Sequence, residues 1–435
     1  MKIEYKDESS FSDPLNIKVK NLNPNQTIFA TLKTKINSNI YQSSVKFNAN
    51  ENGEVNLDKS DAYDGIYSGK LEGGLLLTLS NFTNEIYNFE NLNEKAKFIL
   101  HIETKEHFNE TKKSFKITDP LHDLNEDDNF KNEDENQKIV FYKSFSYNLN
   151  YKRVDENMAH MDILYKNEND PIVLIFSSSS KKKNFHIASF FANNGFVAVN
   201  CEYFANENLP EACFSIPVEI FKDIKYSLQN IFNFKKVNIF GIAEGAGLGA
   251  LIAKEYFKDI NKLVFMSPNF YIFQGLTPQR KPRSFYQKNG KDMDFVKLKF
   301  NLFDQIKISK QVFSKNPVSL LDIYEKSIKS AKNLEKKVLP YDKLSQDILL
   351  FGGEDDKMND TKNYCEKIKK LRNEKNLKTE IFLYEDVGHY INAPFYPQYQ
   401  RNGKTTFFGG NIEKNAKASV DIYKKIKEFF NETTK

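Results

Sequence analysis

"VNIFGIAEGAGLGALIAKEYF", residues 237–257, is the stretch whose reading decides the fold. Val237 to Phe240 form a short apolar run with strand character. A glycine turn follows, and from Leu248 the apolar residues recur at helical spacing. A strand–turn–helix of the form G-x-S-x-G or G-x-C-x-G is a nucleophile elbow, in which a sharp turn exposes one side chain above the end of a strand. Here glycines stand at 241 and 245, and the residue between them is Ala243. The frame of an elbow is present and its reactive atom is missing. The glycines at 241, 245, 247 and 249 do not fit G-x-G-x-x-G, and this strand is not the first of its sheet, which weakens a dinucleotide-binding reading.

Working outward, apolar runs (PIVLIF, FVAVN, VNIF, KLVFMS, DILLF and TEIFLYE) alternate with helical stretches such as HIASFFANNG, VEIFKDIKYSLQNIF and TKNYCEKIKKLRNEK. Uninterrupted apolar strands alternating with amphipathic helices predict a mostly parallel, doubly wound sheet covered on both faces. In such hydrolases the nucleophile follows one strand, and an acid and a histidine follow two later ones, in that order. DILLF is followed by Asp355 and Asp356, and TEIFLYE by His389. A neutral histidine can take a proton from a nucleophile while a carboxylate holds its tautomer. Alone, Asp356 reads as a loop or cap acid and His389 as a surface or structural histidine; their order after successive strands is what points to a site. Between Ser267 and Asp347 the rhythm breaks into a basic, Pro-containing segment with Arg280 and Arg283, which reads as a cap or insertion over the carboxyl edge of the sheet, where ligands of open α/β sheets bind.

The N-terminal part reads differently. Up to about residue 118, LNIKVKNL, TIFATLKT, SSVKFNA, GLLLTLS and AKFILHIET alternate like strands between turn signals, predicting an all-β immunoglobulin-like sandwich. Asp119 to Gln137 then carries eight acidic residues against one lysine, as expected of a solvated linker. The division predicted is therefore a sandwich over 1–118, a linker over 119–137 and an α/β domain over 138–435.

Composition narrows the function. With 63 basic and 58 acidic residues the net charge is +5, and no broad nucleic-acid surface is expected. Three cysteines, Cys201, Cys213 and Cys365, cannot all pair and fit no metal-ligand spacing, so reduced structural thiols and no metal are expected. No apolar stretch has the length of a membrane span, and the acidic start MKIEYKDESS argues against a targeting peptide. The expected location is cytoplasmic; oligomeric state is not legible.

Nearly the whole chain resembles the acyl-CoA thioesterase and bile acid-CoA:amino acid N-acyltransferase family. The segments that carry the resemblance are DPLNIKVKNLNPNQTIFATL, NENGEVNLDKSDAYDGIYSGKLEGGLLLTL, GFVAVNCEYFANENLP, ILLFGGEDD, GHYINAPFYP and FFGGNIEKNAKASVDIYKKIKEFF. GHYI followed by FYP is the most specific of them. The resemblance implies a β-sandwich followed by an α/β-hydrolase domain, with a Ser or Cys, an Asp and a His acting on acyl-CoA thioesters and no cofactor. Carried over by position, the nucleophile falls on Ala243, the acid on Asp356 with Asp355 as rival, and the base on His389. The oxyanion donors fall on the backbone N–H of Glu244 and on the loop after PIVLIF, at Ser177 and Ser178.

Three departures stand out. Ala243 carries only a methyl group, which cannot attack a thioester or hold an acyl group. The oxyanion loop, glycine-rich in the family, reads SSSSKKK; its Lys181, Lys182 and Lys183 could meet CoA phosphates as point charges or simply form a solvated tip. Gly247 stands where the family has an acid. Two histories fit Ala243: natural loss of the nucleophile, or deliberate replacement of a Ser or Cys. As written, the chain is expected to run no covalent thioesterase reaction. The alternatives are a non-catalytic acyl-CoA-binding or protein-interaction module and an acyl-CoA:amino acid N-acyltransferase; a serine peptidase or dienelactone-type hydrolase fits the N-terminal part poorly.

Overall fold

The computed structural model describes residues 1–36, 39–81, 92–104, 136–177, 184–275, 281–301, 304, 306, 310–311, 318–402 and 406–432. The acidic run at 119–137 lies almost wholly outside the described residues. The chain divides into two compact units. One comprises Met1–Tyr147, Ile391–Tyr399 and Asn415–Val420; the other comprises Asn148–Tyr390, Gln400–Lys414 and Asp421–Lys435.

The first unit is β-rich. A six-stranded sheet runs in the order Glu8–Ser10, Asn136–Ser144, Ala96–Thr104, Thr27–Ile36, Asn39–Asn48, Ala62–Gly65, and a three-stranded sheet joins Lys2–Glu4, Lys18–Lys20 and Val55–Asn56. Period-two patterning explains the larger sheet: Ile28, Ala30 and Leu32 are fully buried, and Ile28 and Ala30 lie opposite Phe47 and Val45 on the neighbouring strand. One expected strand is a helix. Gly74–Leu77 of the GLLLTLS run forms a single buried helical turn. Consecutive leucines have no alternation to give a sheet one wet face, and here all four residues are covered. Gly73, at φ 66°, starts the turn, donates its N–H to the buried Asp58 carboxylate at 3.1 Å, and Thr78 Oγ1 closes it onto the Gly74 carbonyl at 2.8 Å.

The second unit is built on strands β1 (Asn150–Glu156), β2 (Ala159–Tyr165), β3 (Ile172–Phe176), β4 (Val197–Glu202), β5 (Val237–Ile242), β6 (Ile260–Met266), β7 (Ile348–Gly353) and β8 (Thr379–Tyr384). The helices used below are α1 (Phe185–Asn193), α2 (Ile220–Gln229), α3 (Glu244–Glu255) and α4 (Thr361–Asn373). The strand order is β1-β2-β4-β3-β5-β6-β7-β8. β1 and β2 are antiparallel and the pairs from β4 to β8 are parallel. Every residue of β3, β4, β5 and β7 is buried, as strands covered on both faces require. The parallel strands deliver their carboxyl ends, Phe176, Ile242, Gly353 and Tyr384, to one edge of the sheet. Among the described residues no helix is long and apolar enough to cross a membrane.

Candidate active site

Three loops meet at that edge, beginning with the turn after β5. Ala243 has φ 51° and ψ −116°, a conformation that an L residue adopts only under constraint. The constraint is visible in the main chain. Ala243 N–H donates to the Met266 carbonyl at the end of β6 (3.0 Å), and Ala246 N–H returns to the Ala243 carbonyl (3.1 Å). Gly245 brings the first turn of α3 onto the end of β3: a Cβ there would sit 2.1 Å from the Phe176 carbonyl oxygen and 2.9 Å from Ser177 N. The elbow and the end of β3, up to Ser177, are thus neighbours through backbone contact, which a side chain at 245 would forbid. Ala243 itself is fully buried, and its methyl group supplies no nucleophilic atom.

The loops after β7 and β8 carry the polar partners. His389 Nδ1 lies 2.7 Å from Asp356 Oδ2, with both side chains buried. The Asp356 carboxylate is held from behind by the backbone N–H groups of Met358 (2.8 Å) and Asn359 (3.0 Å) and by the Thr361 hydroxyl at the start of α4. His389 is anchored by its own main chain: its N–H donates to the Phe408 carbonyl (2.9 Å), and Ser267 Oγ at the end of β6 donates to its carbonyl (2.6 Å). Burial pulls the imidazole pKa down; the Asp356 charge and hydrogen bond, with a contribution from Glu244, more than reverse this and leave it above the usual histidine value. Asp355 turns elsewhere. It pairs with Lys357 at 2.5 Å and accepts the Gly410 N–H at 2.8 Å, and against its burial these hold it below the usual carboxylate range. Of the two acids, Asp356 alone meets His389.

Ser177 is buried at the end of β3. Its Oγ lies 2.5 Å from Asn184 Nδ2, the Ser177 carbonyl accepts from the Tyr203 hydroxyl, and Asn184 Oδ1 accepts from Tyr390 Oη at 3.1 Å. Ser178, Lys181, Lys182, Lys183 and Arg280 lie outside the described residues. Arg283 is already committed, with Nε 2.7 Å and Nη2 3.1 Å from the Asp292 carboxylate, so it is not a spare cation for a phosphate. Gly247 has a steric reason: a Cβ would sit 2.3 Å from the Tyr286 hydroxyl, which donates to the Glu244 carbonyl at 2.5 Å. Thr361, Ser267, Asn184, Tyr203 and Tyr286 escaped the sequence reading. Ser267, Asn184, Tyr203 and Tyr286 act through contacts distant in sequence, and Thr361, close to Asp356 in the chain, has no local motif to mark it. All three cysteines are free and buried, and burial pushes each thiol well up, away from the reactive thiolate. Among the described residues no group of His, Cys, Asp and Glu is placed to hold a metal.

An eight-stranded sheet in this order, with an elbow after β5, an acid after β7 and a histidine after β8, is an α/β-hydrolase domain. Residues 216–435 match the family described as BAAT / Acyl-CoA thioester hydrolase C terminal, and residues 12–120 match the Acyl-CoA thioester hydrolase/BAAT N-terminal region. The chain belongs to this acyl-CoA thioester hydrolase/BAAT family. It is 22% identical over 99% of its length to the mouse mitochondrial acyl-coenzyme A thioesterase 2, covering 88% of that protein. It is 21% identical over 97% of its length to human acyl-coenzyme A thioesterase 6, covering 93% of it. Against the mouse acyl-coenzyme A amino acid N-acyltransferase 1 the identity is 24%, over 96% of this chain and 94% of that one.

Proposed function

We propose that this protein is an acyl-CoA-binding member of its family in which Asp356 and His389 are the acid and base of a triad whose nucleophile position, Ala243, is empty of chemistry. The observation that carries the reading is the 2.7 Å contact between His389 Nδ1 and the Asp356 carboxylate beside an elbow whose strained backbone is intact. The dyad leaves Nε2 of the imidazole to face a nucleophile, and Ala243 offers it none. Acyl-CoA thioesters should bind, and the covalent reaction should not run.

Restoring one oxygen tests this. In an Ala243→Ser protein, Nε2 of His389 would take the hydroxyl proton as Oγ bonds to the thioester carbon. The C–S bond then breaks, CoA leaves as a thiol with that proton, and water repeats the sequence to free the acid. The unaltered protein should release no CoA thiol from an acyl-CoA above a His389→Ala control. Ala243→Ser or Ala243→Cys should release it, and the gain should vanish when His389 is also replaced. Assays with and without free amino acids separate hydrolysis from acyl transfer. His389-dependent turnover by the unaltered protein would sink the proposal, as would the lack of any rise in melting temperature with a long-chain acyl-CoA.

A further inference from the structure

Of the segments that the sequence singles out, GHYI followed by FYP is not exhausted by His389. His389 and Tyr390 belong to the α/β unit, whereas Ile391–Tyr399 belong to the β-rich one, so the chain changes unit two residues after the imidazole. Within the β-rich unit this segment is folded on itself. Gln398 Oε1 accepts from Asn392 N–H (3.0 Å), Gln398 Nε2 donates to the Tyr396 carbonyl (2.9 Å), and Asn392 Nδ2 donates to the Pro397 carbonyl (2.5 Å). Both amide side chains are buried, where such bonds are costly to break. Pro394 and Pro397 each fix one φ angle and stiffen the segment further.

The β-rich unit grips the folded segment at three places. Gln398 N–H donates to the carbonyl of Leu77, the last residue of the buried helical turn, at 2.9 Å. The Tyr396 ring meets Phe11 edge-on with centroids 6.0 Å apart and lies 5.9 Å from the Phe145 ring. Phe395 packs so closely on Gly73 that a Cβ there would sit 2.3 Å from Phe395 Cδ1. Phe395 stands at φ 64°, a backbone state that persists only where the surroundings over-determine it.

We propose that the β-rich unit is a positioning element of the candidate active site: by clamping residues 391–399 at Leu77, Gly73 and the Phe11–Phe145 pair, it sets where His389 sits against Asp356. Bonds to Phe408 and Ser267 hold the main chain of His389 itself, and the clamp fixes the chain that leaves it. Tyr396 and Gln398 are then positioning residues, which act on the imidazole through the chain. The inference deepens the reading of Asp356 and His389 as acid and base, and rests on it.

The test follows the His389 ring by NMR in the full chain without ligand. In Tyr396→Ala and in Gln398→Met the ring should drift from Asp356 and its titration midpoint should fall, because burial lowers the pKa and Asp356 is the main group that raises it. Tyr396→Phe, which keeps the ring, should restore the midpoint. Val45→Ala opens a cavity in the same unit at a residue outside the clamp and should leave the midpoint in place. In the Ala243→Ser background the two clamp variants should lower kcat for CoA release by about tenfold or more with KM little changed, since misplacing a reacting group costs the chemical step. Gln398→Met carries the test if Tyr396→Ala does not fold. A midpoint that stays put in the folded clamp variants, or that falls as far in Val45→Ala, would overturn the inference and leave the acid–base reading standing. A midpoint of the unaltered protein below the ordinary histidine value would overturn that reading, and this inference with it.

Discussion

The two halves of the site have fared differently. The dyad half keeps every atom that the chemistry needs: Asp356 and His389 are buried, 2.7 Å apart and tied into the loops around them. The elbow half has a strained, well-held backbone at Ala243 and no side-chain oxygen there. The contrast teaches what holds each half in place. Asp356 accepts two backbone N–H groups and a threonine hydroxyl besides His389, so it is part of the loop's construction whatever the protein catalyses. The elbow's shape comes from main-chain bonds at Ala243 and from close backbone approach at Gly245, neither of which needs a serine side chain. Its geometry therefore does not depend on an oxygen at position 243.

The largest effect expected from this contrast is on the dyad side. Asp356→Ala would leave the N–H groups of Met358 and Asn359, the Thr361 hydroxyl and the His389 ring without their shared acceptor, and should cost about 3 kcal/mol of stability. Urea unfolding measures it, and a cost under about 1 kcal/mol would show that Asp356 is not structural in this sense.

Next comes the helix behind the elbow. Gly247→Ala should destabilise by about 2 kcal/mol, since its methyl group would meet the Tyr286 hydroxyl, outweighing the better helix propensity of alanine. Adding Tyr286→Phe should recover part of that loss. If the double variant is no more stable than Gly247→Ala alone, the hydroxyl is not the obstacle.

At the elbow itself the sign reverses. Ala243→Gly should stabilise the fold by about 1 kcal/mol, because glycine accepts φ 51° without strain where alanine does not. A destabilisation in thermal or urea melts would mean that the buried methyl group contributes more than the strain costs.

The smallest effect is the pH dependence of the dyad. His389 has a folded pKa above its ordinary value: burial lowers it, but Asp356 and Glu244 raise it further. The protonated ring is thus favoured in the folded state. Its contribution is complete below the unfolded value near 6.5 and is lost as pH rises through the folded pKa. Stability of the unaltered protein should fall over that window relative to His389→Gln. A ring titration followed by NMR with a midpoint below the ordinary value would refute the assignment, and Glu244→Gln should move that midpoint downward.

Much of this was legible in the chain. The strand–turn–helix at 237–257, the acid after DILLF and the histidine after TEIFLYE follow from local pattern and order alone, because apolar periodicity and glycine spacing are properties of short segments. The N-terminal strands were equally plain, except GLLLTLS, whose leucines become a buried helical turn anchored on Asp58, forty-odd residues from the loops it also ties at Leu15 and Asn16. The strand Asn136–Ser144 takes its place beside Ala96–Thr104 across the whole acidic run, a pairing that no local signal announces.

By itself, then, the sequence determined that a glycine turn with Ala243 between Gly241 and Gly245 follows one strand, and that Asp355, Asp356 and His389 follow two later ones, since these depend on residue identity and chain order. Only the tertiary structure decided between Asp355 and Asp356, because adjacent residues in a loop point apart and the choice rests on whether Lys357 and Gly410 or His389 is within reach. It likewise decided what crowds Gly247, a tyrosine hydroxyl brought from residue 286 that also donates to the Glu244 carbonyl. Such outcomes depend on which atoms the fold places around a residue, and a linear pattern carries no record of them.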